Sequence, residues 1–464
     1  MTKAALLTLA LAALCACKKP EPERDPSRSA PSAGPAASVA PAPIAPPPRA
    51  ERMTEAGMLA EAARYLDDPA FRRTALEASL VNPKNTYSRH RLDHYALGKR
   101  GWDLLPEWNP QSLPVTTEVV ADLRARRPLK VDEGTARLWD GSRPKTMVEW
   151  TELGKKVFFG YPLREDIYVA WALGRPEFAA RVNLKPGSDG VYPGVRLFAN
   201  VDGKPTIGIT CAVCHANVRD GKVTIGEARR AFDYGAMRLA YHDDTKTWVE
   251  PDLARRMKMW GPGRADVTED DDEDPVAIPD LWGLRAQTFL TQAGTIKHDG
   301  PTALAIRQET QLLHANLQRV RPPRELAYAL ALYLYSLEPP AQETKSEPQG
   351  EALFEQHCAS CHSNDALGGP ALPAAKIGTN AALATGAARG TGKYRPAALV
   401  RVARAAPYFH DGSVPSLEDV LSPERFEASY KRSPLGAGPA PGHTFGTDLP
   451  KRERDALVAF LRTL

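Results

Sequence analysis

The chain has 464 residues, of which 43% are apolar and 25% charged. These proportions exclude a mostly disordered chain and a polytopic membrane protein, and the length suits two or three domains. Lysine and arginine number 60 against 56 acidic residues, a net charge of +4; that balance lacks the clustered basic face expected of a nucleic-acid partner, so none is expected.

The first residues read as an export signal. Lys3 gives a positive start and Ala4 to Leu14 an apolar run too short to cross a bilayer as a helix. The run ends in Leu14-Cys15-Ala16-Cys17, the pattern of a lipoprotein processing site with Cys17 as lipid acceptor, although Cys15 departs from the usual small residue. Residues 1–17 are therefore expected to be a lipoprotein-type signal peptide. The body would then be exported to the periplasmic side and anchored to the membrane through Cys17. Residues 18–50 come next, rich in Pro, Ala and Ser, an extended tether with almost nothing to bury.

From 51 to 195 the pattern predicts a helical N-terminal extension, with helices over Met53 to Leu66 and Met147 to Phe159 and five tryptophans, Trp102, Trp108, Trp139, Trp150 and Trp171. No chemistry is legible in it, and its expected role is to cover the C-terminal part of the chain.

The rest contains an internal repeat, with copies at 196–340 and 341–464. Cys211-Ala212-Val213-Cys214-His215 in the first answers Cys358-Ala359-Ser360-Cys361-His362 in the second. Each has a later His-Asp-Gly turn, His298-Asp299-Gly300 and His410-Asp411-Gly412. Each closes on a helix that opens at a proline, Pro323 or Pro450, with Leu330, Leu334 and Leu337 matching Leu457, Leu461 and Leu464 as one buried stripe. Between the copies, Pro339-Pro340 and a polar run mark a boundary.

A Cys-x-x-Cys-His sequence gives two thiols for covalent attachment to haem vinyl groups and an adjacent imidazole for the iron. A four-thiolate zinc site or a redox dithiol would not need a histidine after both pairs. Two covalently bound haems c are expected, held by Cys211 and Cys214 with His215, and by Cys358 and Cys361 with His362. The fold expected is mainly α, two tandem cytochrome-c-like domains behind a helical N-terminal extension.

The sixth ligand separates catalysis from electron carriage. No methionine occurs after Met259, so the second iron must use His410 or His443 if its own copy supplies the ligand. His443 is favoured, because it lies in the flexible stretch Pro441-Gly442-His443-Thr444-Phe445-Gly446 shortly before the closing helix. In the first copy the analogues are His298 and His314. His314 sits in a continuous helical pattern, where a packed histidine is the expected outcome, so the first iron is expected to keep an open position for peroxide or dioxygen. Glu269 to Asp274 forms an acidic run, a candidate calcium site since carboxylates suit a hard cation; a solvated loop is the simpler reading.

These motifs, together with Ala406-Pro407-Tyr408-Phe409-His410-Asp411-Gly412-Ser413-Val414-Pro415-Ser416-Leu417 and the closing helices, resemble the bacterial di-haem cytochrome c peroxidase superfamily over roughly Val195 to Leu464. That superfamily includes the methylamine-dehydrogenase-maturing enzyme and the rubber oxygenases. Gly442-His443-Thr444-Phe445-Gly446-Thr447 is most similar to the rubber-oxygenase branch, where the corresponding histidine ligates the C-terminal haem, which implies the same of His443. The resemblance further implies reduction of hydrogen peroxide at the iron held by His215, with electrons relayed through the iron held by His362. An electron-donor protein or small-molecule reductant would be the partner. A non-catalytic electron carrier and a dioxygen-dependent oxygenase are the alternatives. The first copy departs from the peroxidases: Lys297-His298-Asp299-Gly300-Pro301 replaces their Phe-Trp-Asp-Gly-Arg, whose tryptophan lies between the haems. Their Leu-x-x-Gln is only partly kept as Ala305-Ile306-Arg307-Gln308, and their acid–base glutamate has no recognisable match. His298, Gln308 and Glu309 are the candidate catalytic substitutes.

Overall fold

A computed structural model describes residues 47–266, 274–342, 345–432 and 435–464. The expected signal peptide, Cys17 and most of the tether lie outside these residues, as does most of the acidic run. Among the described residues no helix is long and apolar enough to cross a membrane.

Local signals account for the first helices. Thr54 caps α1 (Glu55–Asp67) by accepting from the Gly57 N–H, and Met58, Ala62 and Tyr65 bury one face of it. Asp68 caps α2 (Pro69–Ser79) and Asn85 caps α3 (Thr86–His94). A strand, β1 (Ser112–Thr116), precedes α4 (Met147–Gly160), which starts in a reciprocal capping box between Thr146 and Glu149. Both helices expected from the sequence are therefore present.

The extension, expected as helices joined by loops, also contains strands. β1, β2 (Arg164–Glu165), β3 (Val191–Ala199) and β4 (Pro205–Ile209) form a four-stranded antiparallel sheet in the order β1-β3-β4-β2. β3 is continuous across residue 195, where the sequence suggested a break. The sheet is also what carries the first cysteine motif. Gly194 of β3 has a φ of 79°, and a Cβ there would lie 1.9 Å from the Val213 nitrogen. The strand thus presses directly on the short helical turn Ala212–His215.

Beyond the motif come α5 (Pro301–Ala315) and α6 (Arg324–Tyr335). Leu326 through Tyr335 are all buried, so α6 is apolar all round rather than along one stripe. The extension causes this: α4 lies along α6, and Trp150, Val157, Tyr328 and Leu330 share one core. The closing helix of the second copy, α8 (Lys451–Leu461), lacks such a cover and buries only Leu457, Val458 and Leu461. It packs on α7 (Pro348–His357), the helix that leads into the second motif.

Two polar clusters tie the extension to α5. Glu309 is buried and accepts from Tyr65 and Tyr95 hydroxyls at 2.6 Å each, with the Arg324 guanidinium 3.3 Å away. On the same helix, His314 packs edge-on against His90 and Trp102, with ring centroids 4.7 and 4.9 Å apart.

This packing makes two outcomes measurable. A Cβ at Gly154 would lie 2.0 Å from the Ala329 carbonyl oxygen, so Gly154→Val should force α4 off α6 and cost about 2 kcal/mol or more in urea unfolding. Loss of hydration, helped by Arg91, His90 and His94, pushes His314 down to about 3. An unfolded histidine titrates near about 6.5, so below that value protons bind the unfolded chain first and stability falls with pH. The thermal midpoint should therefore drop between about pH 7 and pH 5, and His314→Phe should make that drop shallower.

Candidate functional site

The first motif begins directly after β4. Thr210 Oγ1 accepts from the Ala212 N–H at 3.3 Å, and the turn closes with the His215 N–H on the Cys211 carbonyl at 3.2 Å. His215 Nδ1 donates to the Pro279 carbonyl at 3.1 Å. A carbonyl can only accept, so the proton is on Nδ1 and Nε2 keeps its lone pair for a metal. The second motif repeats the arrangement: α7 ends at His357, and His362 Nδ1 donates to the Leu367 carbonyl at 2.6 Å. Desolvation lowers the affinity of both rings for a second proton, His215 to about 4, which keeps each imidazole neutral as a ligand must be.

All four thiols are free. Burial pushes Cys211 and Cys358 up to about 11 and Cys214 to about 12. A redox dithiol wants the opposite shift, whereas a thiol destined for a thioether needs no stabilised thiolate in the folded chain.

Both cysteine pairs and both histidines open into one cavity of about 510 Å³. Its wall is mainly apolar, with Phe158, Leu163, Trp282, Leu304 and Leu334 from the first half and Phe354, Phe409 and Leu461 from the second. An apolar slot with thiols and a neutral imidazole at each end fits covalently held haem. The halves are stitched across the cavity. Arg404 donates to buried Glu227 at 3.0 and 3.1 Å, Arg395 to the Gln287 side chain at 3.1 Å, and Asn364 to the Ala286 carbonyl at 3.1 Å.

The other histidines separate clearly. His443 lines the cavity, and its buried Nδ1 has no hydrogen-bond partner. Its backbone adopts φ 45°, and Arg425 holds the loop by donating to the Gly442 and His443 carbonyls at 2.7 and 2.8 Å. Burial, with smaller contributions from His362 and Arg425, brings the ring down to about 4. His410 also lines the cavity, but its Nε2 faces the Tyr394 hydroxyl at 3.2 Å with the rings stacked at 4.4 Å. That hydroxyl donates to the Asn380 carbonyl at 2.6 Å, so it accepts from His410 and occupies that nitrogen.

Three expected residues do not reach the cavity wall. His314 is in the His90 and Trp102 cluster. Glu309 points from the opposite face of α5 toward Tyr65 and Tyr95. His298 is fully buried behind the wall, with Nδ1 on the Gln287 carbonyl at 2.7 Å and Nε2 on the Tyr335 hydroxyl. Gln308 does reach the wall, and so do Arg307 and Gln311, which hydrogen-bond to each other. The signal for the last two was present as the 304, 307, 308, 311 spacing of one helix face. Arg307 acts electrostatically on both Cys211 and His215, which places its charge near the first motif. Among the described residues, the first half supplies no second histidine, methionine or lysine to the wall, whereas the second half supplies His357, His410 and His443, of which His443 has an unpaired buried nitrogen.

Residues 393–431 match the family model described as RoxA-like, cytochrome c-like. The matched segment runs from Lys393 through the second His-Asp-Gly turn to Lys431. A solved structure, "Crystal structure of a MauG-like protein associated with microbial copper homeostasis", aligns with 23% identity and a TM-score of 0.28, covering 44% of this chain and 78% of that one. No curated protein matches the chain. The RoxA-like match, falling on a segment that lines the same cavity as both cysteine motifs, supports the resemblance to the di-haem cytochrome c peroxidase superfamily, the rubber-oxygenase branch included.

Proposed function

We propose that this chain is a di-haem c-type oxidoreductase of the peroxidase type, exported and lipid-anchored through Cys17. In this reading Cys211, Cys214 and His215 hold the first haem, and Cys358, Cys361, His362 and His443 hold the second. The observation that carries it is the inequality of the two halves of the cavity: one wall offers His215 alone, the other His362 together with a histidine whose buried nitrogen is unpaired. Bound there, haem supplies a redox-active iron that takes up a small oxygen-containing ligand when open and exchanges single electrons when capped.

The chain's own residues then have distinct tasks. The two backbone carbonyls hold the tautomer of His215 and His362. Arg307, steadied by Gln311, and Gln308 beside it line the cavity and could donate hydrogen bonds to a small oxygen-containing substrate there. The apolar wall excludes bulk water around them. Among the described residues, no carboxylate on the first half's wall is placed to shuttle a proton: Glu309 is turned away, and Asp280 is held by Arg230 at 2.8 Å and by the Ala228 N–H at 2.7 Å. That lack favours one second reading, a dioxygen-dependent oxygenase acting on an apolar organic substrate, and the RoxA-like match points the same way.

Spectra of the haem-loaded protein test the assignment. EPR should show one high-spin and one low-spin iron. His443→Ala should convert the low-spin signal to high-spin, while His410→Ala should leave it. Cys358→Ala should lower the haem content by half in a pyridine haemochrome assay and remove the low-spin signal selectively. Two low-spin irons that ignore cyanide would leave only an electron carrier. Consumption of peroxide with a reduced donor supports the peroxidase reading, and oxygen uptake with formation of an organic product supports the oxygenase.

A further inference from the structure

His298 and Tyr335 sit immediately behind the cavity wall at the seam between the halves. Tyr335 is next in the chain to Leu334, and Gln287 accepts from His298; Leu334 and Gln287 both line the cavity. His298 is fully buried and Tyr335 is 6% exposed, with ring centroids 5.5 Å apart. The Gln287 carbonyl fixes the direction of the hydrogen bonds. It accepts from Nδ1 at 2.7 Å, so Nε2 is bare and the Tyr335 hydroxyl donates to it.

We propose that Tyr335 and His298 form a proton-coupled redox station, in which Tyr335 releases an electron as its phenolic proton passes to Nε2 of His298. An oxidised phenol is a strong acid, and a radical cation in this interior would be costly to form without an acceptor. The imidazole takes the proton and keeps its Nδ1–H bond to Gln287, leaving a neutral phenoxyl radical beside an imidazolium. At rest both partners are neutral, because burial holds the phenol well above its usual range and His298 down to about 4. Arg49, Arg52, Arg285 and Arg395 lie close to the pair, with Asp299 and Glu61, the latter paired with Arg52, as the nearby acidic groups. An imidazolium formed among those guanidiniums is raised in energy, so only a strong oxidant can charge the station and the charged pair is itself strongly oxidising.

The second copy gives an internal contrast. His410 also faces a tyrosine hydroxyl, but Tyr394 spends its proton on the Asn380 carbonyl and has none to pass. The proposal rests on the peroxidase reading only for its oxidant. Hydrogen peroxide takes two electrons and two protons to become two waters; both protons come from solvent, Tyr335 would give one electron and an external donor the other, and a second electron from that donor re-reduces the phenoxyl. The Tyr335 proton waits on His298 and returns when the phenoxyl is re-reduced.

The station can be tested apart from that reading with hexachloroiridate(IV), a one-electron oxidant, added to the haem-loaded full chain and monitored by rapid-freeze EPR. A tyrosyl signal is expected in the wild type and its loss in Tyr335→Phe, whose haem spectrum and unfolding midpoint report that it is folded. His298→Gln should slow radical formation about a hundredfold, the scale of a lost positioned base. The same signal in Tyr335→Phe, or no tyrosyl signal in the wild type, would overturn the proposal. Peroxide is then added in a second arm. A wild type that shows the signal with iridate but does not consume peroxide refutes the peroxidase reading and leaves the station standing.

Discussion

A hydrogen bond from a ring Nδ1 to a main-chain carbonyl, made once by His215 and once by His362, is the constraint around which the cavity is organised. It decides which nitrogen carries a proton before any metal arrives, and it uses no side chain that evolution could alter cheaply. Everything else in the site takes its bearings from these two fixed rings. The sheet presses the first motif into place through Gly194, and α7 delivers the second directly from its last turn.

The extension changes what the repeat can do. In the second half α8 shows one apolar face and solvent wets the rest. In the first half the equivalent helix α6 is sunk in a core shared with α1 and α4. The two closing helices, alike in sequence, therefore have different surroundings, and the first is joined by buried polar networks to the extension. Glu309 with its two tyrosines and His298 with Tyr335 both belong to that added layer.

Spacing made the attachment residues readable, because covalent haem needs two thiols and an imidazole within five positions whatever the fold around them. That His443 lies in a loop at the cavity was readable for a related reason: glycine and proline around a histidine advertise a loop able to reach over a face. The phase of α5 was harder. A glutamate beside a glutamine gives no sign of which one faces the cavity, and one residue of helix turns a side chain by about 100°. Only the spacing of Leu304, Arg307, Gln308 and Gln311 held that information. His298 lies in a polar turn that looks solvent-exposed; segments distant in sequence, including Arg49, cover it. β3 was hidden because Pro193 and Gly194 interrupt it, and those residues normally argue against a strand.

The pairing of Arg404 with Glu227 bears on how such a protein comes apart. Glu227 is sealed from water and would keep only Arg219 if the halves separated, at 2.9 Å from a mostly exposed side chain. Opening the seam therefore strips a counter-charge from an anion that cannot reach solvent unless its own half loosens as well. This contact opposes a separation of the halves in which one melts while the other stays intact. A spacing between the two cysteine motifs that depends on the seam is then tied to the fold on both sides of it.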